Sequence, residues 1–79
     1  MTREEVFARL KEVFQDVFDK EVALSDATTA ADVPGWDSLM HIALISEVEE
    51  TFGIKFTMNQ ILSFQNVGEL AEAVLAAVA

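Results

Sequence analysis

The sequence has no cysteine, only five basic side chains, and no apolar run long enough to cross a membrane. Without cysteine there is no disulfide framework and no thiolate metal site, which suits a reducing cytoplasm. With so few bases, the 14 acidic residues leave a formal charge of −9 on 79 residues. A surface of that sign repels phosphate backbones, so nucleic acid is excluded as a partner and basic protein surfaces are favoured. The most apolar stretch, residues 70–79, falls well short of the ~20 residues that a membrane span needs. The start, Met1-Thr2-Arg3-Glu4-Glu5, is too acidic for a secretory or transit peptide. Internal repeats and low-complexity tracts are missing as well. These absences predict a cytoplasmic protein.

Against them stands a hydrophobic content of 52%, which argues for a folded chain despite the charge. A chain this short makes one domain, residues 1–79, that buries roughly 60% of its unfolded surface. A monomer is expected. Val6, Phe7, Leu10, Val13, Phe14, Val17 and Phe18 fall at helical spacing. At about 100° per residue they lie within roughly 80° of the direction of Leu10. Arg3, Glu5, Arg9, Glu12, Gln15 and Asp16 take the other face, and Thr2 with Glu5 reads as a capping box. The spacing predicts a helix over 3–18.

From Asp19 to Trp36 the period disappears, leaving a loop of 18 residues closed by Pro34-Gly35. Loops of that length are uncommon in compact domains and usually have a reason. Val22, Leu24, Val33 and Trp36 are the residues available to pin it to a core. A second helix is predicted over 38–51, capped by Asp37 or Ser38 and closed by Phe52-Gly53. Its core stripe is His41, Leu44, Ile45, Val48 and Phe52. Leu39 and Ile42 project roughly 100–160° away from His41 on helical geometry, together with Ala43, Ser46 and Glu50, and with Glu49 at the edge. An apolar pair followed by acids has the character of a docking surface.

Ile54-Lys55-Phe56 alternates like a strand, but there is no second strand to pair with it, so it reads as an extended linker. Thr57 with Gln60 resembles a capping box for a short helix through Leu62, with Ile61 and Leu62 inward. Asn66 with Glu69 then caps a last helix whose apolar face is Val67, Leu70, Ala71, Val74, Leu75 and Val78. The fold class is all-α: a four-helix bundle with three main helices, one short helix and a long first loop.

The chemistry concentrates at Gly35-Trp36-Asp37-Ser38-Leu39. A hydroxyl at Ser38 lies in the first turn of a helix, near N–H groups without intrahelical acceptors and at the positive end of the helix dipole. A phosphodiester on that hydroxyl would have its charge stabilised there. The plainer alternative is that Asp37 and Ser38 are ordinary caps.

Asp37-Ser38-Leu39, opening an amphipathic helix that ends in Glu49-Glu50-Thr51-Phe52-Gly53-Ile54, resembles the acyl carrier proteins, as do the size, the acidity and the helix order. The resemblance implies that Ser38 bears 4′-phosphopantetheine, added from coenzyme A by a phosphopantetheinyl transferase, and that the thiol of this arm holds acyl groups as thioesters. The thiol that the chain lacks would come with the cofactor. By the same resemblance Asp37 takes part in transferase recognition and, with Leu39, flanks the attachment site. Leu39, Met40, Ile42, Glu49 and Glu50 would dock to acyl-transferring, condensing or modifying enzymes with basic patches. The protein would then be a carrier and not itself an enzyme, serving a fatty-acid, polyketide or related pathway. Met40 and Ala43 stand where many fatty-acid-synthesis members have acids, and Trp36 resembles stand-alone carriers of specialised pathways. From the residues alone, an unmodified helical module that binds a basic partner through the second helix is the alternative.

His41, the single histidine, invites a hydrolase reading with Ser38, but no third group orients it. It reads more simply as a half-buried packing residue on the core stripe. Asp26 to Asp37 has the twelve-residue length of a calcium loop, yet its sixth residue is Ala31 and its last is Asp37, so no metal site is assigned. The phenylalanines on the core stripes read as packing, although in the family an acyl chain can lodge between helices, so core and pocket need not be exclusive.

Overall fold

The computed structural model describes residues 1–78, and its secondary structure is all helix, with no strand among the described residues. Helix α1 spans Arg3–Phe18. Its start is the expected reciprocal cap: Glu5 N–H donates to Thr2 Oγ1 at 3.2 Å, and Thr2 N–H donates to the Glu5 carboxylate at 2.9 Å. Its inward stripe buries Val6, Leu10, Val13 and Phe14. Asp19 ends it in the left-handed conformation, φ 55°, which Asp tolerates better than most side chains.

The connection to the second helix is ordered, and its contacts explain its length. Val22 and Val33 are buried, and Leu24 and Trp36 pack half-buried against the core, as their apolar character predicts. A 3₁₀ turn over Ala30–Asp32, which the sequence did not signal, interrupts the loop. The loop also caps the last helix: Thr28 O accepts from Val67 N–H at 2.8 Å and Asp26 O accepts from Gly68 N–H at 3.0 Å. These satisfy two of the donors that a helix start leaves without intrahelical partners. Arg3, expected on a solvated face, clamps this arrangement by bonding Asp26 in the loop and Glu72 in the last helix.

Helix α2 spans Ser38–Phe52, capped by Asp37, whose Oδ1 accepts from Met40 N–H at 2.8 Å. Gly53 closes it at φ 68°, the left-handed cap predicted from the sequence. Leu44, Ile45 and Val48 are fully buried. The linker Ile54–Thr57 leads to helix α3, Met58–Ser63, whose Thr57–Gln60 capping box forms as read. One expectation fails here. Leu62, placed inward from the sequence, is 69% exposed. A six-residue helix offers only one narrow inward row, and Ile61 with the following Phe64 takes it. Helix α4, Val67–Val78, buries Val67, Gly68, Leu70, Ala71 and Val74. Asn66 Oδ1 accepts from Glu69 N–H at 2.8 Å, but the Glu69 carboxylate reaches back to Gln65 N–H at 2.9 Å rather than to Asn66. The capping box is therefore half formed as predicted and half shifted by one residue.

Helix α1 packs against both α2 and α4, and the core between them is Phe14, Leu10, Leu44, Ile45, Leu70, Val6, Val48, Val67 and Val74. This leaves the N-terminal end of α2 and one side of it facing outward.

Candidate functional site

The site is built by the turn that precedes α2. Gly35 adopts φ 90°, a conformation that side chains disfavour, and Trp36 N–H donates to Val33 O at 3.1 Å. The turn drives the Trp36 indole inward, edge-on to Phe14 at 5.3 Å and against Phe18 at 6.1 Å between ring centres. The next residues are thereby turned outward. Asp37 and Ser38 are exposed, and Ser38 is the first residue of α2.

Around the Ser38 hydroxyl the backbone is arranged for an anion. Asp37 takes the Met40 N–H and His41 N–H donates to Asp37 O at 2.8 Å. The Ser38 and Leu39 N–H groups have no intrahelical acceptor, as at every helix start, and the helix dipole adds its positive end. Asp37 is thus the helix cap and Ser38 is the accessible hydroxyl, which resolves which of the two residues does which.

His41 sits on the inward side and is half-buried, as its place on the core stripe predicts. Its Nδ1 accepts from Trp36 Nε1–H at 3.0 Å, and its Nε2 lies 2.8 Å from Ile61 O. With Nδ1 as acceptor the ring proton must be on Nε2, donated to that carbonyl. Neither nitrogen is left to take the Ser38 proton, so the pair has no hydrolytic geometry. The ring is also stacked on the indole, 5.9 Å between centres. Sequence reasoning put both rings on the core side but could not find this bridge, because it depends on where α3 places a carbonyl.

Next to Ser38 lies a cleft of about 350 Å³, with Trp36, His41 and Leu70 toward the interior and Leu62, Phe64 and Asn66 among its other walls. These walls come from two separate stretches of the chain, residues 30–41 and 62–70, and nothing in local spacing announces them.

The outward face of α2 carries Leu39, 79% exposed, and Ile42, 42% exposed, with exposed Ala43, Ser46 and Glu50. Two predicted docking residues differ from that pattern. Met40 is half-buried and borders a hollow between α1 and α2 with Asp16, Val17 and Glu47. Glu49 is half-buried as well, and its Oε2 accepts the Phe56 N–H at 2.7 Å, tying the linker to α2. Glu47, which the sequence reading passed over, is exposed on the far flank. Asp26 and Asp37, the ends of the twelve-residue stretch, are turned to Arg3 and to the Met40 N–H.

The sequence profile of the family described as the phosphopantetheine attachment site matches residues 8–74. The chain belongs to the acyl carrier protein family. Among solved structures, the solution NMR structure of the holo acyl carrier protein from Geobacter metallireducens is 35% identical in sequence. It superimposes with a TM-score of 0.86, over 92% of this chain and 85% of that one. No curated protein matches the sequence. The carrier takes 4′-phosphopantetheine as its cofactor and is not itself catalytic. The start of α2 fits such a group: an exposed hydroxyl, N–H groups and a helix dipole suited to a phosphodiester, and a cleft alongside for the rest of the arm. The helical architecture agrees with the carrier fold, and no helix among the described residues is long and apolar enough to cross a membrane.

Proposed function

We propose that Ser38 is the residue that bears the arm, and that the carrier presents acyl thioesters on it to enzymes of a fatty-acid, polyketide or related pathway in the cytoplasm. The observation that carries this reading is the exposed Ser38 hydroxyl in the first turn of α2, immediately after the Asp37 cap. In the attachment, the Ser38 Oγ–P bond forms as the pyrophosphate P–O bond of coenzyme A breaks. Adenosine 3′,5′-bisphosphate leaves and the serine proton passes to the transferase or solvent. Once bound, the group supplies a thiol to a chain that has no cysteine. Asp37 holds the helix start and so aims the hydroxyl, while Leu39 shields the attachment point on the outer side.

Docking falls to the outward side of α2. Leu39 and Ile42 form the apolar centre, with Met40 at the margin, and Glu50 supplies the free carboxylate for basic patches on the transferase and on acyl-transferring, condensing or modifying enzymes. Glu49 contributes with its second oxygen, since the first is held by Phe56. The acidic surface steers such partners from a distance.

Incubation of the apo protein with coenzyme A and a broad-specificity phosphopantetheinyl transferase tests the assignment by intact mass. Wild type gains one phosphopantetheine, and Ser38→Ala gains none. A mass gain on Ser38→Ala, or none on wild type, refutes it.

A further inference from the structure

Ser38 is held between neighbours that bond across it. Asp37 is the cap of α2, Trp36 is the residue before the cap, and His41 is the fourth residue of the helix. A side-chain pair at those two positions fixes the angle at which the chain enters a helix, and it is ordinarily an apolar contact. Here it is hydrogen-bonded as well. The imidazole is stacked on the indole with 20° between the ring planes, and Trp36 Nε1–H donates to His41 Nδ1 at 3.0 Å. Two further bonds span the same segment: Asp37 Oδ1 accepts from Met40 N–H, and Asp37 O accepts from His41 N–H. All three run from a residue before Ser38 to a residue after it.

The pair is also anchored outside α2. The indole lies edge-on to Phe14 and against Phe18 of α1, and His41 Nε2–H donates to the Ile61 carbonyl of α3 at 2.8 Å. Helix α3 has no buried side chain of its own, so this bond helps to fix where α3 lies against the start of α2. Removing the imidazole frees the indole and the α3 carbonyl together. Only the two bonds to Asp37 would then direct the first turn.

We propose that Trp36 and His41 are positioning residues for attachment of the arm: they lock the first turn of α2 between α1 and α3 and so present the Ser38 hydroxyl to the transferase at a fixed angle. The inference rests on Ser38 bearing the arm. In that step the Ser38 Oγ–P bond forms as the pyrophosphate P–O bond of coenzyme A breaks. Adenosine 3′,5′-bisphosphate leaves, and the serine proton passes to the transferase or solvent. Attacking and leaving oxygens lie roughly in line at the phosphorus in such transfers, so a misdirected hydroxyl slows the step without weakening docking. A misplacement on the order of 1 Å can cost about 10²-fold in rate; the Asp37 bonds keep part of the alignment, so a loss of about tenfold is expected. Leu39, Ile42 and Glu50 lie on the outward side of the helix, and their docking is left as it was.

Single-turnover attachment tests this, with coenzyme A saturating and a broad-specificity phosphopantetheinyl transferase titrated in excess over the apo carrier. The titration separates the maximal rate from the half-saturating transferase concentration. His41→Ala is expected to lower the maximal rate about tenfold at an unchanged half-saturating concentration. His41→Gln restores an acceptor and a donor and recovers most of the rate. Val48→Ala truncates a fully buried residue of the same helix, so it loses stability but keeps the wild-type rate. All four proteins are compared at a temperature where circular dichroism shows each of them folded. The chain has one tryptophan, so a single indole N–H signal reports the bond by NMR: slow hydrogen exchange in wild type and His41→Gln, fast in His41→Ala. A His41→Ala protein with the wild-type maximal rate overturns the proposal, as does a loss confined to the half-saturating concentration. So does a Val48→Ala protein slowed equally, or a His41→Gln protein as slow as His41→Ala. Should His41→Ala fail to fold, His41→Leu breaks the same bonds with the bulk kept and faces the same criteria. Absence of any mass gain on wild type removes the Ser38 assignment and this proposal with it, whereas normal modification of both wild type and His41→Ala removes the proposal alone.

Discussion

Replacing His41 by leucine measures how much the bridge contributes to stability. Leucine has a similar bulk but no nitrogen, so the Trp36 Nε1–H and the Ile61 carbonyl lose their partners at 3.0 and 2.8 Å. A stranded polar group in a folded interior costs about 1–3 kcal/mol. Both rings are half-buried, so water recovers part of that and the low end applies to each, for a total of about 2 kcal/mol. In a domain of this size each kcal/mol shifts the melting temperature by about 4–8 °C, so a drop of about 8–16 °C is expected. Trp36→Phe strands only the His41 Nδ1 and gives up some indole packing, for about 1 kcal/mol from the lost hydrogen bond plus the lost area. The double variant has neither the indole donor nor the imidazole acceptor and strands only the Ile61 carbonyl, so its loss falls short of the sum of the two singles by about 2 kcal/mol. Urea denaturation followed by circular dichroism at 222 nm serves all four proteins, since fluorescence is lost with the indole. A His41→Leu protein within about 0.5 kcal/mol of wild type would refute the reasoning, as would additive single losses.

Acid is expected to act first where the loop is clamped. The hydrogen bond from Arg3 holds the Asp26 carboxyl below its ordinary value of 3.8, and bonds from Thr2 hold Glu5 below 4.5. A depressed folded-state value means that the stabilisation is fully present above the unfolded value and is lost as pH falls through the folded one. Stability therefore declines as pH drops below about 4, and Asp26→Asn flattens that decline; urea midpoints across pH 2.5–7 check it, and an unchanged acid limb in Asp26→Asn would sink the attribution. Gly68→Ala destabilises by about 1–2 kcal/mol, because its Cβ would lie 2.9 Å from Asp26 O and Oδ1, and that strain outweighs the helix-propensity gain. A thermal melt at or above wild type would contradict it. Glu50→Lys is expected to weaken partner docking at least tenfold at low salt while helicity is kept, whereas Glu49→Lys also frees the Phe56 N–H and lowers stability by about 1–2 kcal/mol. Binding isotherms paired with urea melts separate the two, and equal stability of both variants would show that the Glu49 bond contributes nothing.

Much of the architecture was legible in the residues because its signals are local. The capping pairs Thr2–Glu5 and Thr57–Gln60, the Asp37 cap and the Gly53 terminator each act within a few residues of chain. Helical spacing likewise placed Leu44, Ile45 and Val48 inside and Leu39 and Ile42 outside. The same reasoning failed at Leu62, where a helix of six residues is too short for its period to choose a face against the competition of Phe64.

What the sequence by itself determined is the set of helices, the excess of acid, the lack of any thiol of its own, and a serine at the start of an amphipathic helix. Each comes from composition or from interactions within a turn or two. Only the tertiary structure decided that the long loop caps α4 through Asp26 and Thr28, that Glu49 is committed to Phe56, and that Trp36 and His41 join Ile61 in one bridge. Those contacts unite residues distant in the chain, and hydrogen bonds between such partners exist only after packing has fixed where each backbone carbonyl and N–H points.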